Sequence, residues 1–206
     1  MKIAVIANEE QKRELIKQES NTHEWVWLDE PAVLEDVDCF IDLLFDNSKE
    51  RTHWLKDQDT SIIIVNAVAS LPGSLPGNFI RINGWLTFLN NDIMEAATVS
   101  EELKKITEDV FQSIDKKVEW VQDQPGFIKA RIVSMIINEA YLALEDEVST
   151  KAEIDTAMQL GTSYPYGPFA WAEKIGVRNV YELLSVMAEK DNRYQPADLL
   201  KQEAEN

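Results

Sequence analysis

The stretch Asp123-Gln124-Pro125-Gly126-Phe127-Ile128 separates two regimes in a chain of 206 residues. Upstream of it, short β-branched and aromatic runs alternate with polar helical patterns. Downstream, no segment has strand character. Pro125 fixes φ and lacks an amide hydrogen, and Gly126 admits backbone angles that other residues avoid, so the pair punctuates the change. A long apolar helical pattern starts at Phe127. The chain is therefore predicted to form two domains, an α/β domain over 1–122 and an all-helical domain over 123–206.

Six strands are predicted upstream: Lys2–Ala7, His23–Leu28, Cys39–Phe45, Ser61–Val68, Asn78–Asn83 and Val118–Gln122. Ser61–Val68, reading Ser-Ile-Ile-Ile-Val-Asn-Ala-Val, is the strongest of them. Helices are predicted over Glu9–Gln18 with Leu15 and Ile16 inward, after the start signal Asp29-Glu30-Pro31, from Asn47 or Ser48 towards Gln58, and from Ser100 towards Ile114. This alternation argues for a shortened Rossmann-like, mainly parallel sheet covered on both faces.

Composition narrows the partners. The formal charge is −17, from 37 acidic and 20 basic residues. Residues 123–206 hold 14 acidic and 8 basic side chains, a net of −6, which leaves 23 and 12, a net of −11, for 1–122. Neither half carries a basic footprint for nucleic acid or an anionic membrane. Cys39 is the sole cysteine, and His23 and His53 are the only histidines, so no disulfide framework and no metal site is expected. No apolar run approaches the length of a membrane span, and Met1–Ile6, followed by Glu9-Glu10, is too short for the apolar part of a signal peptide. A soluble cytoplasmic protein is expected.

A strand that opens Lys-Ile-Ala-Val-Ile and leads through a turn into a helix suggests a dinucleotide-binding domain. That fold needs glycines in the turn, so that amide hydrogens at the helix start can hold a pyrophosphate. Here the turn reads Ala7-Asn8-Glu9-Glu10-Gln11-Lys12, without a glycine. Glu9 and Glu10 stand at the positive end of the helix dipole and repel a phosphate there. Asp29 lies at the end of the second strand, where a ribose-binding acid belongs, but a helix N-cap before Pro31 is the preferred reading. The residues argue for the shape of the fold without its usual dinucleotide, so no cofactor is expected.

The downstream half carries a dense series of motifs. Ile128, Ile132, Met135, Ile136 and Ala140, widened by Ile137 and Leu144, repeat at helical spacing. Ser149-Thr150-x-x-Glu153 is a capping box for a helix that ends at Gly161. A rigid turn, Ser163–Phe169, precedes helices over Ala170–Ile175 and Asn179–Glu189 and a last short helix over Ala197–Gln202. The series Asp123-x-Pro125-Gly126-Phe127-Ile128-x-x-Arg131, Asn138-Glu139-Ala140, Ile154-Asp155-x-Ala157-Met158, Leu160-Gly161, Tyr164-Pro165-x-Gly167-Pro168-Phe169, Ile175-Gly176 and Arg193-Tyr194-x-Pro196-x-x-Leu199-Leu200 resembles the C-terminal domain of the 3-hydroxyacyl-CoA dehydrogenase family.

The resemblance implies a Rossmann-like N-terminal domain, a helical domain that forms a homodimer, and NAD-dependent oxidation of a 3-hydroxyacyl-CoA in fatty acid metabolism. It also implies a histidine that closes a strand and takes the hydroxyl proton, oriented by a glutamate twelve residues on. At that spacing this chain has Asn83 and Glu95. The carboxylate position is kept, while Asn83 has no proton to exchange near neutral pH and cannot serve as the base. The family's Asn-Thr-Ser-Ser segment corresponds to Asn66-Ala67-Val68-Ala69, so Val68 stands where a substrate-holding hydroxyl is implied. Ala130 replaces an implied asparagine. The chain also reaches its fourth strand by Ser61, too early for the helical excursion that contributes to acyl-CoA binding in the family.

The expected function is accordingly a degenerate dehydrogenase-like protein, a pseudoenzyme without NAD-dependent activity. The alternatives are an active enzyme with a rearranged site, or a non-catalytic binder of acyl-CoA or a small acid near Asn66, Asn83 and Glu95. Glu95 without a histidine also fits a purely structural pairing. His53 in Arg51-Thr52-His53-Trp54 reads as a solvated helix face, and His23 as an exposed strand start. The six tryptophans, Trp25, Trp27, Trp54, Trp85, Trp120 and Trp171, read as core fillers. The loop Leu71–Gly77 is placed to line a crevice after the fourth strand.

Overall fold

The computed structural model describes residues 1–16, 22–58, 60 and 62–206. The chain divides into two compact units, Met1–Phe127 and Ile128–Asn206. The first contains β1 (Lys2–Ile6), α1 (Glu9–Leu15), β2 (Glu24–Leu28), β3 (Cys39–Asp42), α2 (Lys49–Lys56), β4 (Ile62–Asn66), β5 (Phe79–Ile82), β6 (Ile93–Ala97), α3 (Glu101–Gln112) and β7 (Lys117–Trp120). Its strands form one sheet in the order β2-β1-β3-β4-β5-β6-β7. Every neighbouring pair is parallel except β5 with β6.

Both faces of this sheet are buried, which is why its strands are nearly continuous apolar runs. Side chains alternate between faces along each strand. Ile3, Val5, Ile41, Ile64 and Ile82 point to the face covered by Leu15 of α1 and Val110 and Phe111 of α3. Ala4, Ile6, Phe40, Ile63 and Val65 point to the other, which Leu55 of α2 covers. Trp85 and Trp171 are buried, and the other four tryptophans are half-buried.

Several expectations change. No helix follows Asp29-Glu30-Pro31; residues 29–38 run as bends and loop from β2 into β3. Asp29 is exposed there. A helix-start signal needs an apolar face to bury, and Val33, in this segment, is 83% exposed. The strand β6 was not expected. It is short, is centred on an acid and contains two alanines, so its propensity is weak, and the tertiary pairing with β5 and β7 makes it a strand. The predicted sixth strand is therefore the seventh, at Lys117–Trp120. Of the helix predicted over Glu9–Gln18, α1 ends at Leu15, and residues 17–21 lie outside the described residues, as does Ser61.

The stretch Asp123–Phe127 belongs to the first unit. The Gly126 amide donates to the Val68 carbonyl at 2.8 Å, and Asp123 pairs with Arg81. The second unit contains α4 (Lys129–Glu145), α5 (Lys151–Thr162), α6 (Pro168–Ile175), α7 (Val177–Ala188), a 3-10 turn (Asn192–Tyr194) and α8 (Asp198–Glu205), with no strand among its described residues. The Thr150–Glu153 capping box starts α5 as its spacing predicts. Helix α4 buries Ala130, Val133, Ser134, Ile137, Asn138, Ala140 and Tyr141. The row Ile128, Ile132, Met135, Ile136 lies on another side and stays partly or largely exposed, Ile132 at 54%. Helical periodicity alone does not say which of two apolar rows meets the core.

Candidate functional site

Strands β5 and β6 run antiparallel with Arg81 opposite Ala97 and Ile82 opposite Ala96. One step further along this register, Asn83 meets Glu95. The Asn83 amide hydrogen donates to the Glu95 carbonyl at 3.1 Å, and its side-chain Nδ2 donates to Glu95 Oε2 at 2.9 Å. The two residues are 2% and 3% exposed. The side-chain oxygen of Asn83 is buried and has no hydrogen-bond partner in the protein. The geometry holds a carboxyl and an amide together but provides no titratable nitrogen where the resemblance implies the base.

Asn66 ends β4 and works as a strut. Its Nδ2 donates to the Leu43 carbonyl at 3.2 Å, and its Oδ1 accepts the Gly84 amide at 3.0 Å. Residue 84 must be glycine here, because a Cβ would stand 2.9 Å from the Asn66 side chain. Val68 is buried, and its carbonyl accepts from Gly126 and, at 3.3 Å, from Arg81 Nη2. The Arg81 guanidinium also donates twice to the Ala67 carbonyl, from Nε at 3.0 Å and Nη2 at 2.8 Å, pairs with Asp123, and lies 5.1 Å from the Phe127 ring. Burial pulls the pKa of Arg81 down, and the Asp123 carboxylate works against that. The loop Leu71–Gly77 contributes Leu71, Gly73, Leu75 and Pro76 to a cavity of about 60 Å³ beside Arg81 and Asp123. That is room for about two waters, not for an acyl-CoA.

At the turn after β1, Asn8 caps α1. Its Oδ1 accepts the amides of Glu10 at 3.1 Å and Gln11 at 2.8 Å, and Gln11 Oε1 accepts the Asn8 amide at 3.1 Å. Glu9 and Glu10 are exposed in the first turn. Gln11 is buried and sends Nε2 to the Leu43 carbonyl at 2.9 Å, the same atom that Asn66 uses. Asp42, at the end of β3, is buried and held by Arg51 through Nε at 2.6 Å and Nη2 at 3.0 Å. Burial drives the Asp42 pKa up against the pull of Arg51. The residues at this turn do not fit a dinucleotide: the Glu10 and Gln11 amides are taken by Asn8, Glu9 and Glu10 stand in the first turn, and no glycine leaves space.

His53 is exposed on α2, 3.4 Å from Asp57 across one helical turn. His23 is only partly exposed, with Nδ1 2.7 Å from the Thr22 carbonyl. Cys39 is buried, and burial pushes its thiol far above the usual range, which disfavours the reactive thiolate. No group of three or more metal-ligating side chains occurs among the described residues.

In the second unit the motif residues clamp turns. Asn138 donates to the Gln195 carbonyl at 2.9 Å and accepts the Ala197 amide at 2.8 Å. The Asp155 carboxylate accepts the Phe169 and Ala170 amides at 2.8 and 3.0 Å, capping α6 from α5. Gly167 leaves the space that Asp155 fills, since any Cβ there would collide with it. Arg131 donates to the Tyr194 hydroxyl at 2.8 Å, and Ala130 is buried. These long-range partners could not be read from the motifs themselves, although the residue types and spacing mark them.

Residues 126–206 match the sequence model of the 3-hydroxyacyl-CoA dehydrogenase C-terminal domain. Residues 126–206 therefore belong to the 3-hydroxyacyl-CoA dehydrogenase family. Over 95 residues it is 43% identical to the 3-hydroxyadipyl-CoA dehydrogenase of Escherichia coli, covering 45% of this chain and 20% of that protein. It is 27% identical over 184 residues to a "Probable 3-hydroxybutyryl-CoA dehydrogenase" of Bacillus subtilis, covering 81% of this chain and 64% of that one. The chain thus spans less than two thirds of the length of either relative. The crystal structure of (S)-3-hydroxybutyryl-CoA dehydrogenase from Ralstonia eutropha superposes with a TM-score of 0.71 at 24% identity, over 87% of this chain and 69% of that chain, a likeness of fold. The family's helical domain is thus the part of this chain that its sequence model matches directly.

Proposed function

We propose that this chain does not oxidise 3-hydroxyacyl-CoA with NAD, and that what it retains is the helical domain and its self-association. The observation that carries this reading is Asn83, an amide bonded to Glu95 at the position where the family resemblance implies a histidine base. An amide cannot accept the hydroxyl proton that must leave as hydride departs. The row Ile132, Met135, Ile136 supports a homodimer, because it lines, with Arg131, Glu139, Arg193 and Tyr194, a groove on the second unit and stays partly or largely exposed. The assay is NAD reduction with 3-hydroxybutyryl-CoA. The expected rate equals the protein-free blank, and turnover above it overturns the reading.

A second reading is binding without catalysis. The buried, unpartnered Asn83 Oδ1 favours a ligand that brings a hydroxyl or amide donor, as an acyl-CoA or a hydroxy acid does. Melting with and without acyl-CoA tests it, since a ligand of the folded state alone raises stability. An unchanged Tm rejects this second reading.

A further inference from the structure

We infer that the first unit is a cofactor-free form of the dinucleotide fold, in which Asn8, Gln11 and Asn66 fill with their own hydrogen bonds the crevice an NAD-type ligand requires. In a parallel sheet with helices on both faces, such ligands bind outside the carboxyl ends of the strands, where the strand order changes direction. Here β1 is flanked by β2 on one side and β3 on the other, so that point lies beyond Ile6 and Asp42. Among the described residues there, the side chains of Asn8, Gln11, Asp42 and Asn66 are already hydrogen-bonded. Gln11 and Asn66 converge on one acceptor, the Leu43 carbonyl, from the start of α1 and the end of β4. Asn66 passes the connection to the Gly84 amide beyond β5. Asn8 takes up the Glu10 and Gln11 amides, two donors that a diphosphate would use. Arg51, a cation at this end of the sheet, is held by both oxygens of Asp42. Lys12 of α1 lies 4.8 Å from the Trp27 ring.

The network therefore links the ends of β1, β3, β4 and β5 through side chains, much as a bound dinucleotide bridges the strand ends of such a sheet. A diphosphate entering here would have to break at least the Asn8 cap, against the charge of Glu9 and Glu10. This inference does not rest on Asn83, and the two are separable.

The test is titration of the intact protein with NADH, NAD and ADP-ribose by calorimetry, together with thermal melts. No saturable binding tighter than about 1 mM is expected, and no rise in Tm. Saturable binding of any of the three below that value overturns the inference. Two variants, Gln11→Ala and Asn66→Ala, probe the network itself. Each is expected to lower Tm in nucleotide-free buffer without creating a nucleotide response. A Tm equal to that of the unmodified protein in both variants also overturns it. Binding of NADH without turnover sinks this inference and leaves the catalytic reading intact, whereas turnover sinks both.

Discussion

Asn83 Nδ2 donates to Glu95 Oε2 at 2.9 Å across the antiparallel pair β5 and β6, with both side chains buried. Replacing Asn83 by alanine removes a donor from a buried carboxyl. A loss of about 1–3 kcal/mol is expected, read from urea unfolding. Asn83→Asp places two carboxyls together, and like charges at that distance raise one pKa in the folded state. A raised folded pKa favours folding at low pH and opposes it above. The Asp variant is therefore expected to be weakest at neutral pH and to recover as the pH falls into the carboxyl range. A flat stability profile from pH 7 to about pH 4 counts against the pairing.

Restoring glycines at the turn is not expected to restore chemistry. The double variant Glu9→Gly, Gln11→Gly removes one acid and the buried Gln11 bond to Leu43, but it leaves Asn83 in place. Hydride transfer above the blank in this variant refutes the assignment of Asn83 as the missing base.

The cap that Asp155 gives α6 yields a stability prediction for the second unit. Asp155→Ala strips the acceptor from the Phe169 and Ala170 amides, at an expected cost of about 1–2 kcal/mol. Gly167→Ala forces a Cβ into Asp155 and is expected to destabilise at least as much. If both variants melt with the unmodified protein, the cap is not holding this turn.

Glu203 ties α8 to α4 and α5. It accepts the Tyr141 hydroxyl at 2.6 Å and pairs with Lys151. Burial opposes its ionisation, yet these bonds outweigh it and hold its carboxyl below the usual range. The same burial and the neighbouring Glu203 push the Tyr141 pKa up. With a depressed folded pKa, the contribution is present above about pH 4.3 and is lost as pH falls through the lower folded value. Solvent reaches this carboxylate, so the effect is small. Glu203→Gln is expected to flatten that acid limb, and an unchanged limb in acid-titrated melts contradicts it.

The proposed self-association through α4 predicts that Ile132→Glu shifts the protein to monomer in sedimentation experiments at unchanged secondary structure. Ile132 is 54% exposed, so a charge there costs the fold little. A variant that sediments like the unmodified dimer, or an unmodified protein that sediments as monomer, rejects the row as the contact.

No helix among the described residues is long and apolar enough to cross a membrane. Consecutive residues were sufficient for most of the fold: apolar runs with β-branched members marked six of the seven strands among the described residues, and capping residues such as Ser48 and Thr150 marked helix starts. Those signals are local, since alternation and helical spacing belong to neighbouring residues. The absence of glycine at Ala7–Lys12 and of histidine at Asn83 was also plain in the sequence, because both are facts of residue type. Only the tertiary structure decided the rest. It made Ile93–Ala97 a strand by giving it two partners, left Pro31 in a loop, chose which side of α4 to bury, and brought Gln11 and Asn66 to one carbonyl. Gln11 reaches 32 positions along the chain to Leu43, and Asn66 reaches 23. Contacts of that range depend on how whole elements pack, which no local pattern encodes.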